Sequence, residues 1–153
     1  MVVSHGMPTV LIVEDNADLL DLLLLSLPRL GPFKVCGVSN GIAGLEQFYE
    51  LRPQCVVIDI KMPGLDGYQL VRALRGDPET AGTPLIILTA LAQQKDHFAG
   101  LAAGADLYLI KPVTPQALVE AIRQVIALSE TERLARLEAL LDEEPPVPEP
   151  PEA

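Results

Sequence analysis

Five short runs of apolar and β-branched residues recur along the chain, and they constrain its fold more than any other feature. Within each run the hydrophobicity is continuous rather than alternating, which is typical of strands covered on both faces. A parallel sheet with helices on both sides provides that environment. The predicted strands are residues 10–13, 35–38, 55–58, 85–88 and 107–110.

Between these strands, residue types that favour helix starts and helix ends mark the predicted helices. The first predicted helix ends near Pro28, the second stops before Pro53, and the fourth spans about residues 91–103 and ends at Gly104. Strict alternation of strands and helices predicts an α/β fold of the flavodoxin-like, doubly wound (βα)5 type, with a parallel five-stranded sheet of order 2-1-3-4-5. The other helix starts are marked by Asn16, Asn40, Asp66 and the pair Thr114-Pro115.

The composition argues against some classes of function. A chain of 153 residues with 49% apolar residues has the size of one domain with one core. Its net charge of -10, without a Lys/Arg cluster, argues against direct binding of nucleic acid or an anionic membrane. We find no apolar stretch of membrane-spanning length and no signal peptide, so we expect a cytoplasmic protein.

Cys36 and Cys55 would lie roughly 10 Å apart in this strand order, too far for a disulfide.

The apolar pattern changes after Leu128. A new stripe of Leu134, Leu137 and Leu141, opened by Ser129, predicts a short terminal helix that is either separate or continuous with the preceding one. The expected organisation is a main domain over residues 8–128, a helical extension over 129–143 and an acidic, proline-rich disordered tail over 144–153.

The first predicted helix contains more leucine than one buried stripe needs. Leu22, Leu24 and Leu25 fall outside the stripe that faces the core. They indicate either additional burial against neighbouring elements or a docking surface for a partner helix, and the sequence leaves both open.

Five polar residues directly follow predicted strand ends, which share one rim in a parallel sheet. Three carboxylates at one rim repel each other, so the pattern indicates a bound cation, and oxygen ligands favour Mg²⁺. An aspartate there is also a candidate nucleophile for a phosphoryl group, with a lysine and a hydroxyl to stabilise the developing charge. Each residue alone has a structural explanation, but their coincidence favours a site. The five are Glu14, Asp15, Asp59, Thr89 and Lys111.

Over residues 8–128 the sequence resembles a receiver domain of the two-component response regulators, of the single-domain, chemotaxis-regulator-like type. The resemblance rests on VLIVEDN at 10–16, VIDIKMPGLDG at 57–67, PLIILTA at 84–90 and GADLYLIKP at 104–112. It implies that Asp59 is the phosphoacceptor. It also implies that Glu14, Asp15 and Asp59 hold Mg²⁺ together with the backbone carbonyl of Lys61, and that Lys111 and Thr89 contact the phosphoryl group.

The resemblance further implies a conformational switch formed by Thr89 and Tyr108, and it places Pro112 at the family's cis-proline position. Asp66 is interpreted as a helix cap rather than as a metal ligand. We therefore expect a signalling protein, not a conventional enzyme, that promotes its own phosphoryl transfer and dephosphorylation. Its expected partners are a histidine kinase or histidine phosphotransfer protein and an unidentified downstream protein.

Two other functions stay open at this point. One is a phosphorylation-independent interaction module with the receiver fold, dimeric through the C-terminal helix. The other is an aspartyl-phosphate phosphohydrolase similar to the haloacid dehalogenases, but that family needs a second aspartate where this chain has Lys61. A direct DNA-binding output is not expected, since the segment after Leu128 is acidic and shorter than the roughly 60 residues of such a domain.

Overall fold

The computed structural model describes residues 6–90 and 104–142. Five parallel strands form one sheet of order β2-β1-β3-β4-β5, which confirms the predicted topology. The strands lie within one residue of the predicted runs. They are β1 (Thr9–Val13), β2 (Lys34–Val38), β3 (Cys55–Asp59), β4 (Leu85–Thr89) and β5 (Leu107–Ile110).

Four helices are described, of which α1 to α3 follow the first three strands. They are α1 (Ala17–Leu30), α2 (Gly41–Leu51), α3 (Gly67–Gly76) and the C-terminal helix (Pro115–Asp142). The C-terminal helix runs through Ser129 without a break, which is the continuous alternative left open by the sequence. The helix predicted over 91–103 and the tail predicted over 144–153 lie outside the described residues.

The predicted caps begin the helices as expected. The side-chain oxygens of Asn16 and Asn40 accept hydrogen bonds from the amides of residues 19 and 43, at 3.0 and 2.8 Å. Thr114 does the same for residue 117 at 3.1 Å. Helix α1 ends at Leu30, two residues past Pro28, so the proline costs the helix one hydrogen bond near its end.

Two apolar layers cover the two faces of the sheet. Alternate residues of β1 point to opposite sides, so Val10 and Ile12 join the layer under α1 and the C-terminal helix. Leu11 and Val13 join the layer under α2 and α3. Cys36 and Cys55 are free, as the strand order predicted.

The additional leucines of α1 divide into two groups. Leu24 lies with Leu20 over Gly37, where a β-carbon would come within 3.0 Å of both side chains. Leu22 and Leu25 are 47% and 58% exposed. Additional burial therefore explains Leu24 but not the other two. Within the described residues, no helix is both long enough and apolar enough to cross a membrane.

Arg75 joins the amino ends of β4 and β5 to α3. Its guanidinium donates to Asp106 Oδ2 at 2.8 Å and to the carbonyls of Gly104 and Thr83 at 2.8 and 2.6 Å. Asp106 Oδ2 also accepts from the amide of Leu85 at 2.8 Å. These bonds hold the starts of both strands in register, and the register determines where their opposite ends lie.

Asp66 forms a reciprocal capping box with Gln69 at the start of α3. Its carboxylate accepts from the amide of Gln69 at 2.9 Å, and the Gln69 side chain accepts from the amide of Asp66 at 2.9 Å. Both bonds satisfy amides that the first turn of a helix leaves unpaired. The cap therefore accounts for this carboxylate.

We expect Asp66→Ala to lower the free energy of unfolding by about 1 kcal/mol, because it removes the cap. Urea denaturation followed by circular dichroism measures the change. Asp66→Asn is the matched control and should stay close to wild type, since asparagine caps equally well. Equal losses in the two variants would contradict the capping role.

Candidate functional site

An acidic cluster lies where β1 and β3 end. Glu14 and Asp15 directly follow β1, and Asp59 is the last residue of β3. The parallel register pairs the ends of these adjacent strands, so the three carboxylates reach the same rim, with ligand atoms within 4.8 Å of one another. Glu14 and Asp59 are 1% and 5% exposed, whereas Asp15 is exposed. The cluster is thus buried on one side and open to solvent on the other.

Lys111 supplies the positive charge that faces this cluster. It directly follows β5, and its Nζ lies 2.6 Å from Glu14 Oε1 and 3.5 Å from Asp59 Oδ1. Burial lowers the pKa of Lys111, but the hydrogen bond to Glu14 and the attraction of Asp59 outweigh it, so the pKa is raised. The ammonium stays charged and bridges two of the three acids.

One ammonium does not balance three carboxylates. Burial, followed by hydrogen bonds shared with Glu14 and Asp15, raises the pKa of Asp59 to about 8, although Lys111 opposes the shift. Without a bound cation, the surroundings of Asp59 therefore favour its protonated form. A divalent cation would replace that proton and relieve the repulsion.

The donor set fits Mg²⁺. Carboxylate oxygens are its usual protein ligands, and it keeps several water molecules, which the solvent-facing side at Asp15 accommodates. Lys61 is exposed and lies in the loop that leaves the end of β3, two residues after Asp59. Glu14, Asp15 and Asp59 are therefore the carboxylates that would hold the ion.

Thr89 and Tyr108 approach the site from β4 and β5. Thr89 ends β4, is 1% exposed, and its carbonyl accepts from the amide of Lys111 at 2.6 Å. Tyr108 is 8% exposed within the apolar layer under α2 and α3. The peptide bond between Lys111 and Pro112 is cis. The structure thus brings Glu14, Asp15, Asp59, Thr89 and Lys111 to one rim, with Tyr108 buried three residues before the lysine.

Sequence reasoning missed Gly67, the first residue of α3. A β-carbon there would lie 2.5 Å from the carbonyl oxygen of Asp59 and 2.7 Å from Ile60 Cα. Only glycine lets α3 begin this close to the acidic site. The available signal was a glycine directly after a cap, at a position where a stronger helix former would ordinarily be favoured.

Comparison with known proteins agrees with this geometry. The family model of the response regulator receiver domain matches residues 10–123, most of the chain. This chain belongs to the response regulator receiver-domain family. The receiver fold explains why acids at the ends of β1 and β3 meet a lysine at the end of β5.

Curated relatives of this receiver domain are regulators. The chain is 38% identical over 126 residues to the transcriptional regulatory protein AfsQ1 of Streptomyces coelicolor, covering 82% of this chain and 54% of that protein. It is 34% identical over 139 residues to the DNA-binding response regulator MtrA of Mycobacterium tuberculosis, covering 91% of this chain and 59% of that protein. The receiver chain thus spans about half the length of these curated relatives.

Solved structures of similar size share the receiver fold. A CheY-like response regulator receiver domain protein from Methanospirillum hungatei matches with a TM-score of 0.75 at 28% identity, covering 82% of this chain and 98% of that chain. The chemotaxis protein CheY4 of Vibrio cholerae matches with a TM-score of 0.73 at 27% identity, covering 78% of this chain and 98% of that chain.

The raised pKa of Asp59 predicts how stability depends on pH without metal. A carboxyl whose pKa rises on folding contributes stability that is complete below its ordinary pKa and is lost as the pH rises through about 8. Asp59→Asn removes that titration. With a chelator present, the quantity to compare is the Tm of the variant minus the Tm of wild type. We expect this difference to be larger at pH 9 than at pH 6, by at least about 3 °C. Differential scanning calorimetry measures this, and parallel pH profiles would contradict it.

Proposed function

We propose that this receiver domain accepts a phosphoryl group on Asp59 and signals through a change in its protein-binding surface. The observation that carries the proposal is the cluster of Glu14, Asp15 and Asp59 with Lys111 bridging two of them. A nucleophilic carboxylate, cation ligands and a fixed ammonium within hydrogen-bond reach are what phosphoryl transfer to an aspartate requires.

The proposed donor is a phosphohistidine on a histidine kinase or histidine phosphotransfer protein. An Asp59 carboxylate oxygen attacks phosphorus and forms an acyl phosphate. The bond between phosphorus and the imidazole nitrogen breaks, and that nitrogen keeps the electron pair. Hydrolysis later attaches a water oxygen to phosphorus and breaks the bond between phosphorus and the Asp59 oxygen. Inorganic phosphate leaves, the carboxylate is restored, and the signal ends.

Lys111 contributes positive charge from the protein itself. Its ammonium lies 3.5 Å from Asp59 Oδ1, so it is close enough to pair with oxygens of a phosphoryl group on that residue. When bound, Mg²⁺ supplies charge neutralisation to the phosphoryl oxygens. Glu14 keeps the lysine in place when no phosphoryl group is present, through its 2.6 Å hydrogen bond.

The proposed switch consists of Thr89 and Tyr108. Both side chains are almost fully buried, and they belong to the adjacent strands β4 and β5. The Thr89 hydroxyl at the end of β4 would donate to a phosphoryl oxygen, and its movement would change the space beside the Tyr108 ring. Such a coupling converts one local charge into a change of the surface formed by β5 and its neighbours.

The proposal concerns the receiver domain and its protein partners. A net charge of -10 is unfavourable for direct contact with nucleic acid, so we do not assign that activity to these residues. AfsQ1 and MtrA are named as regulators of transcription or DNA-binding proteins, but this chain covers only 54% and 59% of them. We propose that the downstream target of this domain is a protein.

Mg²⁺ should stabilise the folded domain, because it binds a cluster that exists only in the native state. With a Kd of about 1 mM, 10 mM Mg²⁺ would add roughly 1.4 kcal/mol to the free energy of unfolding. Chemical denaturation with and without Mg²⁺ measures this difference. Asp15→Asn is the control and should lose most of the stabilisation, whereas the same gain in both proteins would place the ion elsewhere.

Phosphorylation itself is tested by intact-mass spectrometry after incubation with acetyl phosphate and Mg²⁺. We expect one phosphoryl adduct in the wild type, and none in Asp59→Asn or without metal. Lys111→Met should slow formation of the adduct by about 100-fold or more, since it removes the charge that stabilises the transferring group.

An unmodified wild type, under conditions that phosphorylate a control receiver domain, would overturn the proposal. It would favour the phosphorylation-independent interaction module instead. An adduct that persists in Asp59→Asn would show that another residue is the acceptor.

A further inference from the structure

The amino end of α2 touches the loop that follows the phosphoacceptor. Gly41 is the first residue of α2, and a β-carbon built on it would overlap the carbonyl oxygen of Leu65 and lie 3.0 Å from Leu65 Cβ. Leu65 belongs to residues 60–66, the loop between β3 and α3, which we call the acceptor loop. The overlapping atom is backbone, so a side-chain rotation cannot relieve the overlap.

Backbone conformation does not explain the glycine at position 41. The glycines with positive φ in the described residues are Gly64 and Gly104, so Gly41 has a backbone that other residues adopt readily. Alanine would also favour the helix more than glycine does. The close approach of α2 to the acceptor loop is therefore what requires glycine here.

The other side of the acceptor loop is already held by the sheet. The amide of Ile60 donates to the carbonyl of Leu88 at 3.2 Å, and the amide of Gly67 donates to the carbonyl of Ile60 at 3.0 Å. Ile60 and Met62 are 4% and 7% exposed. The loop thus contacts the sheet at Ile60 and α2 at Leu65, so a larger residue at position 41 would press on the loop from the α2 side.

The connection between β2 and α2 also contacts the acidic cluster, at Glu14. The carbonyl of Val38, at the end of β2, accepts from the amide of Glu14 at 3.1 Å. Gly41 follows three residues later and meets Leu65. Residues 38–41 therefore connect the end of β1, which carries Glu14 and Asp15, to the acceptor loop, which carries Lys61.

We propose that Gly41 is a positioning residue for the metal site. By lacking a side chain, it sets how closely the acceptor loop approaches the carboxylates of Glu14 and Asp15, and so sets the affinity for Mg²⁺. This inference rests on the proposed function, because it assigns the acceptor loop a part in holding the ion.

The test compares three glycine-to-alanine variants by isothermal titration with Mg²⁺. Gly41→Ala should raise the Kd for Mg²⁺ about tenfold, the size of effect typical for residues that orient metal ligands, while both controls stay within about twofold of wild type. Gly44→Ala is the matched control on α2, since its β-carbon would meet side-chain methyls of Val13 at 2.9 Å and Leu70 at 3.4 Å rather than the loop. Gly76→Ala is the second control, because nothing lies within 4 Å of its β-carbon.

Thermal unfolding without Mg²⁺ separates positioning from general destabilisation. Gly44→Ala should lower Tm without weakening Mg²⁺ binding, whereas Gly41→Ala should weaken binding whatever its Tm. An unchanged Kd in folded Gly41→Ala, or an equal rise in Gly44→Ala, would overturn the inference.

A measurement on wild type keeps the inference testable if Gly41→Ala does not fold. In two-dimensional NMR, Mg²⁺ should shift the amide resonances of Gly41 and Leu65 more than that of Gly44. An unmoved Gly41 amide would overturn the inference. If wild type binds no Mg²⁺ at all, the proposed function fails, whereas normal binding by wild type and Gly41→Ala alike overturns only the role of Gly41.

Discussion

Repulsion among three carboxylates at one rim of the sheet is the constraint on which the rest of this structure depends. Glu14 and Asp59 are nearly buried, and Lys111 faces them both. Burial of two acids with one ammonium leaves the site short of positive charge, which is why the pKa of Asp59 is raised to about 8. A divalent cation would offset the two negative charges that Lys111 leaves unbalanced among the three carboxylates.

The fold maintains this arrangement through contacts on both sides of the site. Parallel pairing brings the ends of β1, β3, β4 and β5 to one rim, while Arg75 and Asp106 hold the opposite ends of β4 and β5. Helices α2 and α3 approach the acceptor loop through Gly41 and Gly67. These contacts oppose movement of the acids away from one another.

Most of the fold follows from local patterns. Continuous apolar runs predicted all five strands, and Asn16, Asn40 and Thr114 predicted helix starts, because caps and buried strands depend on few residues. The strand order followed from the handedness of crossovers. By contrast, the leucines of α1 could not be divided in advance, since Leu24 is covered only because β2 has a glycine at position 37. Likewise, the sequence left the C-terminal helix either broken or continuous at Ser129, and the structure has one helix.

The sequence by itself determined the strand ends and the residue types placed there, because the period of hydrophobic burial is a local property of the chain. It therefore predicted which acids, hydroxyl and lysine belong to one rim. Tertiary structure decided what depends on distances between separate elements: the pairing of Lys111 with Glu14, the raised pKa of Asp59, and the contact of Gly41 with Leu65. Electrostatic energies and steric overlaps change over fractions of an ångström to a few ångströms, and only the packed fold sets those distances.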